Sequence, residues 1–277
     1  MQGSFRKVLL VIIDGLRPDA ITSEAMPVLR SILGTGWRAP RAFSVRPSVT
    51  VAALTSIATG VAPSVHCLTE PSLRRLPRFR GLRPLPSELS KGGIETTVVA
   101  GGLSGALRWA AAALLRLAGV TRLVSPSASP AGLVETAVQR LREHPEREFV
   151  VLYVNDTDLA GHAWGWMSPA YFRAAGVVDQ ALARIVPILD EPETLIIITA
   201  DHGGGGVLAN DHDHPHPVND AIPLAVMGRG IPAAVGSEPV QLLDIPPTVL
   251  FGFGRPTPPG YQGRVMHEAF QREPVLV

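Results

Sequence analysis

The chain has 277 residues, of which 46% are apolar and 18% are charged, a composition typical of a packed globular protein rather than a disordered one. The formal net charge of +1 gives no general electrostatic reason to expect binding to nucleic acid or to an anionic membrane. The single cysteine, Cys67, excludes an intramolecular disulfide framework and a metal site built from cysteines.

The first strong signal is an apolar run that predicts a buried strand from Lys7 to Ile13. This run is too short for the core of a signal peptide, and no stretch approaches the roughly 20 apolar residues of a membrane span. We therefore expect a soluble, cytoplasmic protein that does not associate with membranes. A single domain covering residues 1–277 is consistent with this length.

Helix-like and strand-like segments alternate along the rest of the chain. The predicted helices are Met26–Leu33, Val51–Thr59, Leu85–Lys91, Leu103–Leu117, Gly132–His144, Tyr171–Leu189 and a short helix starting at Leu242. Short apolar, β-branched runs predict further strands at Thr96–Ala100, Phe149–Val154, Leu195–Ile198 and Ile222–Met227. This alternation predicts an α/β fold with a doubly wound, mostly parallel sheet sandwiched by helices.

Three segments without periodicity are predicted to be extended or irregular. Trp37–Ser44 leads through an extended stretch to the second helix. Leu68–Pro86 is rich in arginine and proline, which favours a solvated surface loop over a substrate-facing basic patch. Ser125–Pro130 has the composition of a short linker inside the domain.

Three carboxylates, Asp14, Asp158 and Asp201, each lie just beyond a predicted strand. The carboxyl ends of parallel strands meet at one edge of a sheet, and ligands bind at this edge in open α/β folds. We therefore expect the three side chains to lie close together. Burying them without compensation would cost several kcal/mol each, so the cluster predicts bound cations.

Histidines add to this predicted cluster. His162 comes four residues after Asp158, a spacing that brings both side chains to one face of a helical turn. His202 is adjacent to the third carboxylate, and the loop after it contains His212 and His214. Mixed carboxylate and imidazole ligands suit zinc or manganese better than magnesium or calcium, and this many ligands indicate two metal ions. The alternatives are a metal-free ionic network and a flexible, solvated loop.

Thr50 lies where an extended segment is predicted to meet the start of a helix. Backbone N–H groups and the helix dipole favour an anion at such a junction. A hydroxyl beside a divalent cation can act there as a nucleophile near neutral pH. On local sequence alone, a helix-capping role for Thr50, and likewise for Ser48, is the favoured interpretation.

Four motifs occur in one order along the chain. They are Val11-Ile12-Ile13-Asp14-Gly15-Leu16-Arg17-Pro18-Asp19, Pro47-Ser48-Val49-Thr50 with Thr59-Gly60-Val61-Ala62-Pro63-Ser64-Val65-His66, Asp158-x-x-x-His162, and Asp201-His202-Gly203. Together they resemble the alkaline phosphatase superfamily and, within it, the nucleotide pyrophosphatase/phosphodiesterase branch. The resemblance extends from about residue 7 to residue 232. It implies an alkaline-phosphatase-like fold and a phosphoester hydrolase that uses two divalent metal ions, zinc or alternatively manganese.

The resemblance also implies a role for each matching residue. One metal is bound by Asp14, Thr50, Asp201 and His202. The other is bound by Asp158, His162 and a third histidine. Counting back from the Ile222-Pro223 pair, as the family pattern requires, gives His212 for this histidine, with His214 as the runner-up and His216 less favoured. Thr50 is then the catalytic nucleophile.

Two positions depart from the family pattern. Val51-Ala52-Ala53 stands where relatives carry an aromatic residue, a proline and an asparagine. The place of a further asparagine that holds a phosphate oxygen falls at Pro71. We therefore expect phosphate oxygens to contact other groups, such as the backbone N–H of Thr50.

A small-molecule phosphoester is the expected substrate, and a nucleic-acid polymer is not expected. A phosphomonoesterase and a carbon–phosphorus hydrolase similar to phosphonoacetate hydrolase would use the same site. A non-catalytic ligand-binding protein on this fold is the alternative from a different class. A sulfatase is disfavoured because neither Cys67 nor Ser48 lies in the Cys/Ser-x-Pro-x-Arg pattern that such enzymes require.

Overall fold

A seven-stranded sheet lies at the centre of the fold, and the computed structural model describes residues 5–69, 81–101, 112–126, 129–144 and 146–271. The strands are β1 (Lys7–Ile13), β2 (Trp37–Arg38), β3 (Ala42–Phe43), β4 (Glu95–Ala100), β5 (Arg122–Val124), β6 (Glu148–Val154), β7 (Thr194–Thr199), β8 (Ala221–Ile222), β9 (Leu224–Gly228) and β10 (Val240–Gln241). The large sheet has the order β2-β9-β7-β1-β6-β4-β5, and a three-stranded sheet has the order β10-β3-β8.

Helices flank the large sheet. They are α1 (Pro27–Gly34), α2 (Thr50–Thr59), α3 (Pro63–His66), α4 (Leu85–Ser90), α5 (Pro130–Glu143), α6 (Asp156–Trp164), α7 (Pro169–Leu182), α8 (Pro217–Asp220) and α9 (Ile245–Gly252). Short 3-10 turns occur at Pro18–Ala20, Ala183–Ile188, Leu242–Asp244 and His267–Phe270. Helix α5 packs on α7 and on β6, and α2 packs on α4 and α9. Across the described ranges, no helix has the length and apolar character needed to cross a bilayer.

Strand β1 lies in the middle of the large sheet and runs parallel to its two neighbours, β6 and β7. Nearly every side chain of β1 and β7 is buried, because helices cover the sheet. This explains why the apolar residues of both strands run without alternation. Among the described strands of this sheet, only β9 is antiparallel to the others, and it pairs with β7 and β2. The predicted mostly parallel α/β sheet sandwiched by helices is therefore confirmed.

The prediction of a single strand at Ile222–Met227 is wrong. Strand β8 pairs with β3 in the small sheet, whereas β9 pairs with β7 in the large sheet. Pro223 separates the two strands, since proline has no backbone N–H to donate to a ladder. One apolar run thus serves two sheets.

The predicted helix Tyr171–Leu189 is also too long. Helix α7 ends at Leu182, and the following 3-10 turn contains Pro187, which cannot donate the backbone hydrogen bond that an α-helix requires. The sequence patterns do not predict β5 or the small sheet, because strands of two or three residues leave no periodicity to detect.

Parts of three predicted segments lie outside the described residues. They are most of the Leu68–Pro86 loop, the first part of the Leu103–Leu117 helix and the middle of the Ser125–Pro130 linker. Residues 112–117 are helical, in agreement with the second of these predictions. Pro130 belongs to α5 as its first residue rather than to a linker.

Candidate metal centre

Three buried aspartates lie at the edge where the adjacent parallel strands β7, β1 and β6 end. Asp14 directly follows β1, Asp158 lies in the first turn of α6, and Asp201 follows β7. Gly15 brings them together, since its N–H lies 3.3 Å from Asp201 Oδ1 and a Cβ there would lie 3.1 Å from the Asp158 Cα. Its φ of +65° also favours glycine. The order of the strands thus brings the three carboxylates to one place.

The first cluster consists of Asp14, Asp201, His202 and Thr50. His202 Nε2 lies 3.1 Å from Asp14 Oδ1 and 3.7 Å from Asp201 Oδ2. The same nitrogen lies 3.0 Å from Thr50 Oγ1. The two carboxylates and the imidazole are almost wholly buried, whereas Thr50 is half-buried. One imidazole nitrogen therefore faces two carboxylate oxygens and one hydroxyl.

On each aspartate of this cluster, the protein binds one oxygen and leaves the other without a partner. Tyr153 donates its O–H to Asp14 Oδ2, and the backbone N–H of His202 donates to Asp201 Oδ1 at 3.0 Å. Asp14 Oδ1, Asp201 Oδ2 and Asp158 Oδ1 are buried without a hydrogen-bond partner. Buried polar atoms normally have a partner, so three unpaired carboxylate oxygens at one edge fit bound cations.

Thr50 is the first residue of α2, and Val49 occupies the N-cap position without a side-chain hydrogen bond. The interpretation of Thr50 or Ser48 as the helix cap is therefore wrong. The Ala53 N–H donates to the Val49 carbonyl as the first bond of the helix. The backbone N–H groups ahead of it have no partner inside the helix. A hydroxyl and a helix N-terminus thus adjoin His202.

The second cluster consists of Asp158, His162 and His212. Asp158 Oδ1 lies 3.5 Å from His162 Nε2 and 3.7 Å from His212 Nε2. The two Nε2 atoms are 3.1 Å apart. The rings of His212 and His202 stack with centroids 3.9 Å apart, so the two clusters are in direct contact. The His162 side chain is 45% exposed and marks the open side of the centre.

The Nδ1 atom of each histidine in the two clusters donates to a backbone carbonyl. The pairs are His202 with Gly203 at 2.7 Å, His212 with Ser48 at 3.0 Å and His162 with Asn210 at 3.1 Å. A carbonyl only accepts, so each ring carries a proton on Nδ1, and the neutral forms of His162 and His212 have a lone pair on Nε2. Two lone pairs 3.1 Å apart repel each other unless a cation or proton lies between them. This arrangement is usual for metal-binding histidines.

Burial and close mutual contact shift the pKa values of the clustered groups from their usual values. Burial and the charge of Asp14 raise the pKa of Asp158 to about 6. The same two causes hold the pKa of Asp201 well above its usual value. Burial would lower the pKa of His202, but the carboxylates of Asp201 and Asp14 outweigh it and raise the pKa to about 10. Burial and the neighbouring His202 lower the pKa of His212 to about 4. A divalent cation would relieve the repulsion among the carboxylates, and this donor set fits one.

The other histidines of the loop lie outside both clusters. His214 Nδ1 lies 3.1 Å from Asp211 Oδ2, on an exposed side chain. His216 Nδ1 accepts the Val218 N–H at 3.3 Å. Of the two alternatives His212 and His214, the structure brings only His212 to the other cluster residues.

Sequence reasoning misses three residues that support the clusters: Asn219, Tyr153 and Trp166. The buried Asn219 amide donates to the carbonyls of His212 and His214 at 3.1 and 2.8 Å, and it accepts the Gly206 N–H at 3.0 Å. These bonds fix the shape of the histidine loop. A lone asparagine, tyrosine or tryptophan carries no spacing signal that would identify such a role in the sequence.

His66, which ends the second motif, lies in neither cluster. Its Nδ1 accepts the Leu68 N–H at 3.0 Å, so the protonated Nε2 faces Ser56 Oγ at 3.0 Å. Burial lowers the pKa of His66, in keeping with a neutral ring that ties α3 to α2. The position of Pro71 lies outside the described residues.

A third group of acidic and imidazole residues lies at the amino ends of β4 and β6, opposite the carboxyl ends where the two clusters lie. It consists of Glu95, His144 and Glu148. Arg140 Nε lies 2.7 Å from Glu148 Oε1, and Arg140 Nη2 lies 3.4 Å from Glu95 Oε2. A guanidinium thus already occupies the place that a cation would take. We interpret this group as a partly buried ion-pair network.

Two family models match the chain. One, described as the Metalloenzyme superfamily, matches residues 87–255, which is more than half of the chain. The other, described as type I phosphodiesterase / nucleotide pyrophosphatase, matches residues 8–74. The second match contains Asp14 and Thr50, and the first contains the remaining members of both clusters.

Curated relatives of the chain include 2,3-bisphosphoglycerate-independent phosphoglycerate mutases. That of Ruegeria pomeroyi is 32% identical over 117 residues, which cover 42% of this chain and 23% of the relative. That of Synechococcus sp. is 27% identical over 164 residues, covering 54% of this chain and 30% of the relative. The matches thus span less than a third of the length of these relatives.

Solved structures share the fold at low sequence identity. A phosphonate monoester hydrolase from Silicibacter pomeroyi superposes with a TM-score of 0.69 at 19% identity, covering 98% of this chain and 78% of that chain. Murine ectonucleotide pyrophosphatase/phosphodiesterase 5 gives a TM-score of 0.69 at 14% identity, covering 91% of this chain and 96% of that chain. An inactive form of the mouse protein, in complex with AMP, matches equally well with a TM-score of 0.69 at 13% identity over the same shares.

Proposed function

Because the chain belongs to the metalloenzyme superfamily, we propose that it is a phosphoester hydrolase of the phosphodiesterase type, with Thr50 as its nucleophile. The observation that carries the proposal is the position of Thr50 Oγ1, 3.0 Å from His202 Nε2 and at a helix N-terminus beside buried carboxylates. The phosphodiesterase family model supports this reaction, since its match includes Asp14 and Thr50.

We assign two divalent metal ions to the two clusters. Asp14, Asp201, His202 and the Thr50 hydroxyl would hold one ion, while Asp158, His162 and His212 would hold the other. Zinc is the proposed metal and manganese the second candidate, since both accept mixed carboxylate and imidazole ligands. When bound, the pair would supply Lewis acidity toward the phosphoryl and leaving oxygens.

Thr50 performs the covalent step in this proposal. Its hydroxyl gives its proton to water, the Oγ1–P bond forms, and the bond from phosphorus to the leaving oxygen breaks. The leaving group departs and takes up a proton. Water then cleaves the Oγ1–P bond and restores the hydroxyl. The N–H groups at the start of α2, which have no partner inside the helix, would donate to phosphoryl oxygens in place of the asparagine that the family pattern puts at Pro71.

The proposed substrate is a small phosphoester. The AMP complex of the related mouse fold supports this class, and the net charge of +1 gives no reason to prefer a nucleic-acid polymer. Hydrolysis rates on aryl phosphate monoesters and diesters distinguish a phosphodiesterase from a phosphomonoesterase. Release of phosphate from phosphonoacetate would instead indicate a carbon–phosphorus hydrolase.

The Thr50→Ala variant tests the nucleophile. We expect aryl phosphodiester turnover to fall by at least about 10³-fold, because a variant without its nucleophile keeps only residual catalysis from binding and electrostatics. Metal content, measured by elemental analysis, should stay nearly unchanged. Thr55→Ala on the same helix is the matched control and should retain turnover, and Thr50→Ser should recover part of it. Wild-type turnover in Thr50→Ala would refute the assignment.

A further inference from the structure

Trp166 lies directly behind the second cluster, just beyond the end of α6. Its side chain is buried, with 6% of the residue exposed, and its Nε1–H donates to the Gly15 carbonyl at 2.8 Å. Gly15 adjoins Asp14 and contacts Asp158, so this bond ties the indole to the aspartates. Trp164, only two positions earlier, is 72% exposed. The two tryptophans therefore have opposite environments in the same short segment.

The indole of Trp166 contacts both histidines of the second cluster. Its ring lies edge-on to His162, with centroids 5.1 Å apart and an interplanar angle of 81°. It meets His212 in the same way, at 5.6 Å and 76°. Such T-shaped contacts have a preferred geometry and restrict the rotation of the rings they touch. One side chain thus restricts both imidazoles whose Nε2 atoms face each other.

Three glycines let the backbone approach the Trp166 side chain closely. A Cβ at Gly161 would lie 2.6 Å from indole atoms of Trp166, and one at Gly204 would lie 2.1 Å from them. A Cβ at Gly205 would lie 2.6 Å from the Trp166 Cβ. Gly161 precedes His162, while Gly204 and Gly205 belong to the loop after His202. The indole therefore packs between α6, which carries His162, and the loop that follows His202. Any displacement of the indole would move one of those segments.

We propose that Trp166 is a positioning residue that sets the ring orientations of His162 and His212, and thereby the affinity of the second cluster for its cation. The inference rests on the proposed two-metal function. Trp166 itself provides no ligand atom. It acts by packing on the two imidazoles and by its bond to the backbone of Gly15.

The test is a Zn²⁺ titration of the metal-depleted protein in competition with a chromophoric chelator. In Trp166→Phe, we expect one of the two Zn²⁺ ions to bind about 10- to 100-fold more weakly, as is usual when support around a ligand is lost. The other ion should bind as in the wild type. Trp164→Phe is the matched control and should keep both affinities, because its side chain is exposed.

Tryptophan fluorescence tests separately whether Zn²⁺ binds at the histidines that contact Trp166. Coordination of His162 and His212 should change the emission of the indole that contacts both rings. We expect this Zn²⁺-dependent change in the wild type and in Trp164→Phe, and its loss in Trp166→Phe. The same response in Trp166→Phe as in the wild type would contradict the inference.

If Trp166→Phe does not fold, Gly161→Ala tests the positioning role of Trp166 instead. Gly161→Ala keeps the indole but displaces it through the added methyl group, and alanine is well tolerated inside a helix. We expect the same selective weakening of one Zn²⁺ ion. Two wild-type Zn²⁺ affinities in Gly161→Ala would overturn the inference about Trp166. A wild-type protein that binds no second Zn²⁺ would instead overturn the proposed two-metal function.

Discussion

Groups of carboxylates and histidines lie at both ends of the strands of the large sheet, one at the carboxyl ends and one at the amino ends. The surroundings of the two groups differ. At the edge where β1, β6 and β7 end, no lysine or arginine of the described residues pairs with Asp14, Asp158 or Asp201, and each keeps an unpaired oxygen. At the amino-terminal ends of β4 and β6, Glu148 Oε2 is also without a hydrogen-bond partner, but Arg140 contacts both Glu148 and Glu95.

The difference teaches that residue types alone do not make a metal centre. What separates the two groups is whether the protein supplies a permanent positive charge. A guanidinium 2.7 Å from Glu148 provides one in the group at the amino ends, whereas in the other group titratable imidazoles face the carboxylate oxygens. The comparison yields predictions that separate the two edges.

The largest effect is expected from removing one charge at the carboxyl edge. Asp201→Asn should lower phosphodiester turnover by at least about 10³-fold, since loss of a catalytic cation removes several kcal/mol of transition-state stabilisation. Elemental analysis should show a matching loss of metal. Glu148→Gln at the other edge should retain the full metal content. An Asp201→Asn protein with wild-type metal content and turnover would remove the distinction between the edges.

The next effect concerns stability at the opposite edge. Arg140→Met should lower the free energy of unfolding by about 3–5 kcal/mol, because it leaves the wholly buried Glu148 carboxylate without its guanidinium. Urea denaturation measures this change. Arg142→Met on the same helix is the control, and its half-exposed pair with Glu191 should contribute about 1 kcal/mol or less. Equal losses in the two variants would mean that the network at Arg140 is not stabilising.

The smallest effect is expected at His214, next to the cluster but outside it. His214→Ala should change turnover and Zn²⁺ affinity less than about twofold, since its exposed ring pairs with Asp211 and an exposed pair contributes little. His212→Ala, measured in parallel, should lose one of the two Zn²⁺ ions. A large loss of Zn²⁺ affinity in His214→Ala, together with a small loss in His212→Ala, would identify His214 rather than His212 as the metal ligand.

The sequence predicts those features that depend on local pattern. The unbroken apolar runs of β1 and β7 identify buried strands, and the four-residue spacing of Asp158 and His162 predicts that they share a helix face, as in α6. The convergence of three carboxylates follows from parallel strands that end at one edge.

Features that depend on tertiary contacts could not be predicted. Which histidine of the loop reaches the other cluster residues depends on the contact of His212 with the Ser48 carbonyl and of His214 with the Asp211 carboxylate. The burial of Trp166 beside an exposed Trp164 depends on close approach of the backbone at Gly161 in α6 and at Gly204 in the loop after β7. Periodicity carries no information about such contacts. The break between β8 and β9 is different, because Pro223 marks it in the sequence.

The order of strands in the large sheet has a consequence for biosynthesis. The three neighbours β1, β6 and β7 come from distant parts of the polypeptide, and His212 follows the last of them. A nascent chain on the ribosome therefore lacks a complete centre until residues beyond His212 have emerged. The complete set of donor groups can form only once most of the chain has been synthesised.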